Sequence, residues 1–349
     1  MTRRTWALVT AAATGALIAY TTLIEPRWLQ LRHVRIHIRG LATPLEGLRL
    51  ALLTDLHVGR GTSLGLVRRA ATLVMRARPD LIALTGDLTT DNATGFEHVL
   101  GALDALHAPL GVWAVPGNHD YIVGIDAWRR QVGRHPVIRD LTNRAQLLDV
   151  GGARLCVAGV DDYYMGAPRL ALPPLETRDA TILLAHTPDQ AERSRRAYDA
   201  VDLILSGHTH GGQIRLPLLG SPVTSAHYGE LYDAGVRRRP WTQVYISRGV
   251  GTIGAPARFF ARPEVSIIEL TAEPRPPIAG WRARWRRAYR RIPRVHMRDA
   301  HGRRAAQGPR AVHASRAAQD AGPAAPRLHS ERRTSDTPME APDARPDAR

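Results

Sequence analysis

Five short apolar runs, each leading into a residue that can ligate a metal, constrain this chain more than any other feature. Leu48–Thr54 leads into Asp55 and His57, and Leu81–Thr85 into Gly86-Asp87. Val112–Val115 leads into Gly117-Asn118-His119-Asp120, Thr181–Ala185 into His186, and Leu203–Leu205 into Gly207-His208-Thr209-His210. Unbroken apolar runs bounded by turn residues read as buried strands. Val244–Ser247 and Val265–Leu270 continue the pattern. Leu64–Ala77, stopped by Pro79, and Phe96–Leu106 carry apolar residues at helical spacing. Strands alternating with helices predict a layered α/β domain over residues 40–271. In such a domain, side chains just past the strand ends converge on one edge of the sheet.

Each element has an ordinary explanation when taken alone. Gly-Asp after a strand is common turn chemistry, and one Asp-x-His is weak evidence. Two histidines in an i, i+2 pair within a loop seldom have a structural reason. All five sets, each at a strand end, point to a metal site. Cys156 is the chain's single cysteine and falls in the apolar run Leu155–Val160, so it reads as core. The donors are therefore carboxylate, amide oxygen and imidazole, a mix that suits Mn, Fe or Zn. Phosphate-ester cleavage asks for neutralised oxygens, an activated water and a stabilised leaving group. Two cations about 3.5–4 Å apart supply all three. Arg248, His227, Tyr228 and the run Asp161–Tyr164 are candidates for the substrate side.

The net charge of +16 is unevenly distributed. Residues 1–39 carry +5, residues 40–270 carry +1 and residues 271–349 carry +10, with no lysine anywhere. A near-neutral middle argues against a nucleic-acid groove, and basic ends suit a membrane surface. The Ala- and Pro-rich, all-arginine tail also fits plain compositional bias. Trp6–Ile24 is apolar or small throughout apart from threonine, and Glu25-Pro26 ends it. Its length matches the ~20 residues a membrane-spanning helix needs. Residues 1–26 therefore read as a transmembrane anchor, with a signal segment as the competing reading. Thr2-Arg3-Arg4-Thr5-Trp6 is similar to a weak twin-arginine export signal, whereas the arginines after the helix favour the opposite orientation. In residues 277–298, Trp281, Trp285 and Tyr289 recur every four residues among arginines, which predicts a basic amphipathic segment. Residues 299–349 have no periodicity and read as disordered.

The order Asp-x-His, Gly-Asp, Gly-Asn-His-Asp, His, Gly-His-x-His resembles the signature of the calcineurin-like metallophosphoesterase superfamily. Leu53–Gly59, Ala185–Asp189, Gly207–Gln213, Ser247–Gly251 and Arg262–Glu264 resemble its bacterial, membrane-associated branch. The likeness covers roughly residues 40–270. It implies a four-layer α/β/β/α sandwich with Asp55, His57 and His210 on one metal, Asn118, His186 and His208 on the other, and Asp87 bridging. It implies that His119 serves the leaving oxygen and that Asp120 orients the His119 ring. One departure stands out: many relatives place an aspartate where Thr90 stands, and here Asp91 follows instead. The expected activity is hydrolysis of phosphodiester, phosphomonoester or pyrophosphate bonds with two divalent ions, manganese ahead of iron or zinc. Envelope or lipid-linked phosphate esters at the bacterial inner membrane are the expected substrates. Cleavage of UDP-2,3-diacylglucosamine, nuclease action and non-catalytic metal binding are the other functions the family implies.

Overall fold

Side chains alternate between the faces of a strand, so an unbroken apolar run must be covered on both sides. The computed structural model, which describes residues 2–59, 61–90, 92–193 and 200–273, covers them that way. One six-stranded sheet runs in the order β1 (Gln30–Arg39), β12 (Glu264–Glu273), β2 (Arg49–Leu53), β3 (Leu81–Leu84), β4 (Val112–Ala114), β5 (Ile138–Asp140). The other runs β10 (Gly235–Arg238), β11 (Gln243–Ile246), β9 (Leu203–Ser206), β8 (Ala180–Leu184), β7 (Ala153–Gly159), β6 (Arg144–Val150).

Leu50 and Leu52 of β2 face inward and pack with Leu155, Val157, Ile182, Leu184, Leu203 and Leu205 of the second sheet. Ala51 and Leu53 face outward against α2 (Leu64–Arg76), α3 (Gly95–Ala102) and α4 (Asn118–Arg134), through Val67, Ala70, Val74, Phe96 and Trp128. The outer face of the second sheet is covered by Ala191, Val201 and Tyr232. Among the described residues, the helical elements that carry Ala191 and Tyr232 on that face are the α-helical turn Gln190–Arg193 and the 3₁₀ turn Gly229–Tyr232. The architecture is thus a two-sheet α/β sandwich with an outer helical layer, as the motif order implied.

Two features place the site. Strands β2, β3 and β4 run parallel to one another, as do β7, β8, β9 and β11. Their C-terminal ends therefore gather at one edge of each sheet. The loops at that edge are then tied together by backbone bonds: Asp55 N–H to Gly86 O (3.1 Å), His57 N–H to Asp87 O (3.0 Å) and Gly207 N–H to His186 O (3.0 Å).

The folded domain begins before the expected boundary at residue 40. β1 pairs in parallel with the whole of β12, burying Ile36 and Ile38 and exposing Arg35 and His37 between them. Ahead of it, α1 (Arg3–Ala19) continues through a π turn and a 3₁₀ turn to Arg27. This 25-residue helical run is long and apolar enough to cross a membrane, and no residue of Arg3–Ala19 is buried. The basic segment 277–298, the tail 299–349 and Asp91 lie outside the described residues.

Candidate metal centre

All seven expected ligands come together. The first group is Asp55, His57 and His210; the second is Asp87, His186 and His208; within each, the ligand atoms lie within 4.8 Å of one another. Asp87 Oδ2 stands 3.3 Å from His57 Nε2 and 3.2 Å from His186 Nε2, so its carboxylate touches both groups. Asn118 Oδ1 lies 3.0 Å from His186 Nε2 and 2.9 Å from His208 Nδ1, and those two nitrogens are 3.1 Å apart. On the other side His57 Nε2 and His210 Nε2 face each other at 3.1 Å, with Asp55 Oδ1 at 3.8 and 3.5 Å.

With both histidines neutral, hydrogen bonding cannot account for this packing. His186 Nδ1 lies 2.7 Å from the Thr85 carbonyl and His208 Nε2 lies 3.2 Å from the Ser225 carbonyl, so each donates its N–H outward. That turns the lone pairs of His186 Nε2 and His208 Nδ1 toward Asn118 Oδ1 and Asp87 Oδ2. Four acceptors then converge with no hydrogen of their own between them. Such a cluster is stable only around positive charge, which is the arrangement metal-ligating histidines adopt. The residues fit two divalent cations.

The titration behaviour agrees. Burial opposes charge on His186, but Asp87, Asp55 and Asp162 outweigh it and push this histidine up to about 10. Burial also opposes charge on Asp87, yet His186 and His57 hold it well below the usual carboxylate range. In the metal-free protein a proton on His186 therefore stands in for the cation. Burial and the neighbouring His186 lower His208 to about 3, and burial, His57 and Arg258 hold His210 well below the histidine range. Both stay neutral and ready to ligate.

Local backbone geometry is stretched to achieve this. Asp55, His57, Asp87, His208 and His210 all have φ between 42° and 71°, in the left-handed region. Each such residue costs on the order of 1–2 kcal/mol. The glycines ahead of Asn118 and His208 allow close approach of the loops. A Cβ on Gly117 would fall 2.2 Å from Asp87 Oδ1, and one on Gly207 would fall 2.0 Å from Asp55 Oδ2.

A model of the calcineurin-like phosphoesterases matches residues 48–212. Metallophosphoesterase YkuE of Bacillus subtilis is 32% identical over 273 residues, spanning 74% of this chain and 93% of that protein. Phosphodiesterase YaeI of Escherichia coli is 33% identical over 277 residues, spanning 77% of this chain and 99% of that one. The chain belongs to the calcineurin-like metallophosphoesterases. It is a phosphoric ester hydrolase whose two ligand groups fit a two-metal site. A transmembrane protein with metallophosphoesterase domain from Danio rerio is 28% identical over 74% of this chain and 61% of its own length. That relative and the apolar helix Arg3–Arg27 both point to membrane association.

Within this metallophosphoesterase the two residues after Asn118 part company. The half-exposed His119 ring meets His57 edge-to-face, centroids 4.9 Å apart, and has no hydrogen bond among the described residues. Asp120 does not orient that ring. Its carboxylate accepts the backbone N–H groups of Asp87 (2.8 Å), Leu88 (2.9 Å) and Gly117 (2.9 Å), clamping the β3 loop to the β4 loop. The physical reason is helical: consecutive residues at the start of α4 point about 100° apart. Tyr164, from the Asp161–Tyr164 run, lies tilted over His208 with centroids 5.4 Å apart and donates to Asp189. His227 and Tyr228 meet the same Asp189 through their backbone N–H groups. Arg248 packs across Gly211 with its Nε buried and unpartnered among the described residues. Sequence reasoning missed Arg258. Fully buried, it reaches within 3.3 Å of His210 Nδ1, and no spacing in the sequence marks it.

Proposed function

We propose that the chain hydrolyses phosphodiesters at a membrane, with Asp55, His57 and His210 holding one divalent cation, Asn118, His186 and His208 holding the other, and Asp87 shared. The convergence of His186 Nε2, His208 Nδ1, Asn118 Oδ1 and Asp87 Oδ2 carries this reading. When bound, such a cation pair neutralises phosphate oxygens, activates the attacking water and stabilises the leaving oxygen.

The chain's own groups supply the remainder. His119, open to solvent beside the site, protonates the leaving oxygen. Burial, partly offset by Asp87 and reinforced by His57 and His186, holds it below the usual histidine range, so its imidazolium gives up a proton more readily than an ordinary histidine's. Arg248, whose Nε has no hydrogen-bond partner among the described residues, grips a non-bridging phosphate oxygen with its guanidinium. Tyr164 lines the wall beside His208 and shapes the leaving-group side.

Manganese is the favoured metal, because mixed imidazole and carboxylate shells suit it better than magnesium. The Escherichia coli relative, a phosphodiesterase, supports a diester over a monoester. The apolar helix supports an envelope or lipid-linked substrate at the bacterial inner membrane. The pyrophosphate bond of UDP-2,3-diacylglucosamine is the specific alternative, and it requires a site facing the cytoplasm. The full-length protein in detergent, stripped with chelator and reloaded, tests these choices. Manganese should restore hydrolysis of bis-p-nitrophenyl phosphate well above that of p-nitrophenyl phosphate. Preferential cleavage of UDP-2,3-diacylglucosamine would replace the diester reading. No turnover with any divalent cation would reduce the protein to a metal-binding module.

A further inference from the structure

The end of the apolar helix is built into the wall of the metal centre. Arg258 N–H donates to the Thr21 carbonyl and Ala261 N–H to the Glu25 carboxylate, both at 2.8 Å. Tyr20 meets Phe259 edge-to-face, centroids 6.5 Å apart. From the same loop the Arg258 guanidinium reaches His210. At about 1.5 Å per residue, Trp6–Ile24 spans about 28 Å, close to the thickness of a hydrocarbon core. A bilayer crossed by this helix therefore ends near Thr21–Glu25, and the loop bonded to that turn stands at the same height.

The surroundings fit a membrane boundary. Pro26 lacks an N–H, and Arg27 instead donates to the orphaned Thr22 and Leu23 carbonyls (3.0 and 2.8 Å). Arg262 stacks over the half-exposed ring of Trp28, 4.0 Å from its centroid. Tryptophan with arginine is typical of the headgroup level.

A second loop joins this surface. It leaves the chain just after His210 and returns at Ser225, whose carbonyl accepts from His208. Ile214 bridges to Phe259, Arg215 N–H donates to Phe259 O (2.8 Å), and Phe259 N–H donates to Gln213 O (3.0 Å). The turn Leu216–Gly220 carries Leu218, fully exposed, and Leu219 at 75%; Val223 follows at 74%, and Phe260 beside the loop is 58% exposed. Leu218 and Phe260 have φ of 66° and 52°. A bulky side chain in the left-handed region is a true outlier, and here it turns apolar groups into solvent. Single exposed leucines need no explanation, but a run of them continuous with an apolar helix does.

We propose that loop 214–223 and Phe260 dip into the bilayer that the helix crosses, so that the metal centre opens at the membrane surface and takes phosphoesters carrying a long hydrocarbon chain. This rests on the membrane-spanning reading of Trp6–Ile24. The substrate's apolar part would stay in the bilayer while its phosphate reaches the rim beside His208 and His210.

The chain's one cysteine makes a direct test. Cys156 is buried and free, so Leu218→Cys, Phe260→Cys and, as a control at the opposite end of the second sheet, the exposed Arg154→Cys can each carry a nitrobenzoxadiazole label. The full chain is reconstituted into phosphatidylcholine vesicles with or without doxyl groups on the acyl chains. Labels at 218 and 260 should emit at shorter wavelength and be quenched severalfold more by doxyl lipid than by aqueous iodide. The label at 154 should respond to iodide alone. A chain that floats with vesicles while its 218 label is quenched by iodide overturns the inference and leaves the helix reading intact. A 218 label shielded from both quenchers also overturns it, because a protein surface then covers the loop. A chain that does not float overturns both readings.

Discussion

At the scale of single residues, the gathering of the seven proposed ligands at one edge was legible because their side-chain types are costly to place together for any other purpose. Their directions were only partly legible. Adjacent letters His119 and Asp120 suggested a pair, but the helix turns one toward the site and the other into the loops beneath it. The two substitutions should therefore behave differently. His119→Ala should leave metal content unchanged and reduce turnover by roughly 10²–10⁴, read by metal analysis beside diester kinetics. Asp120→Asn replaces an acceptor-only carboxylate that serves three buried N–H groups. It should lower stability by on the order of 2–3 kcal/mol, seen as a drop in Tm, and should loosen metal binding with it. A normal Tm with altered pH dependence alone would restore the orienting role.

His186 supplies a pH prediction. Its metal-free pKa is raised to about 10, so below that value the histidine carries a proton that the cation must expel. Metal affinity should rise about tenfold per pH unit between pH 7 and 9 from this group alone. Binding should release about one proton, measurable by calorimetry in buffers of different ionisation enthalpy. Affinity independent of pH in that window would contradict the assignment.

At the scale of elements, the parallel strands and α2 followed directly from apolar runs and helical spacing, because burial on both faces leaves no polar interruptions. The strand Gln30–Arg39 was overlooked although its alternation of apolar and basic residues is plain. Its arginines read as charge flanking the helix, whereas Arg35 lies on the exposed face of an edge strand and Arg32, on the other face, pairs with the buried Glu264. Pairing across the two sheets could not be read, since the bonds between the β2, β3, β8 and β9 loops depend on how closely those loops approach. That closeness yields a test. In Gly207→Ala the new methyl group would collide with the Asp55 carboxylate and the Thr54 hydroxyl. The variant should fold, with far-ultraviolet dichroism unchanged, yet lose metal from the Asp55–His57–His210 group.

At the scale of the whole molecule, the helix, the Arg258–Arg262 loop and the metal centre form one continuous structure. Glu25 is the hinge of that connection. Buried at 1% exposure, it accepts the Ala261 N–H. Glu25→Ala should leave that donor unpaired and cost about 1–3 kcal/mol, lowering Tm. A diester KM that shifts in the same variant would extend the effect to the site.

Metal stoichiometry of the full-length protein measures directly whether two cations are gripped at one rim. Protein loaded with manganese and freed of excess should hold two ions per chain, and Asp87→Asn, which alters the carboxylate touching both groups, should lose both or retain one weakly. A correctly folded wild-type chain that binds no more than one ion, or an Asp87→Asn variant that keeps both at full affinity, would contradict it.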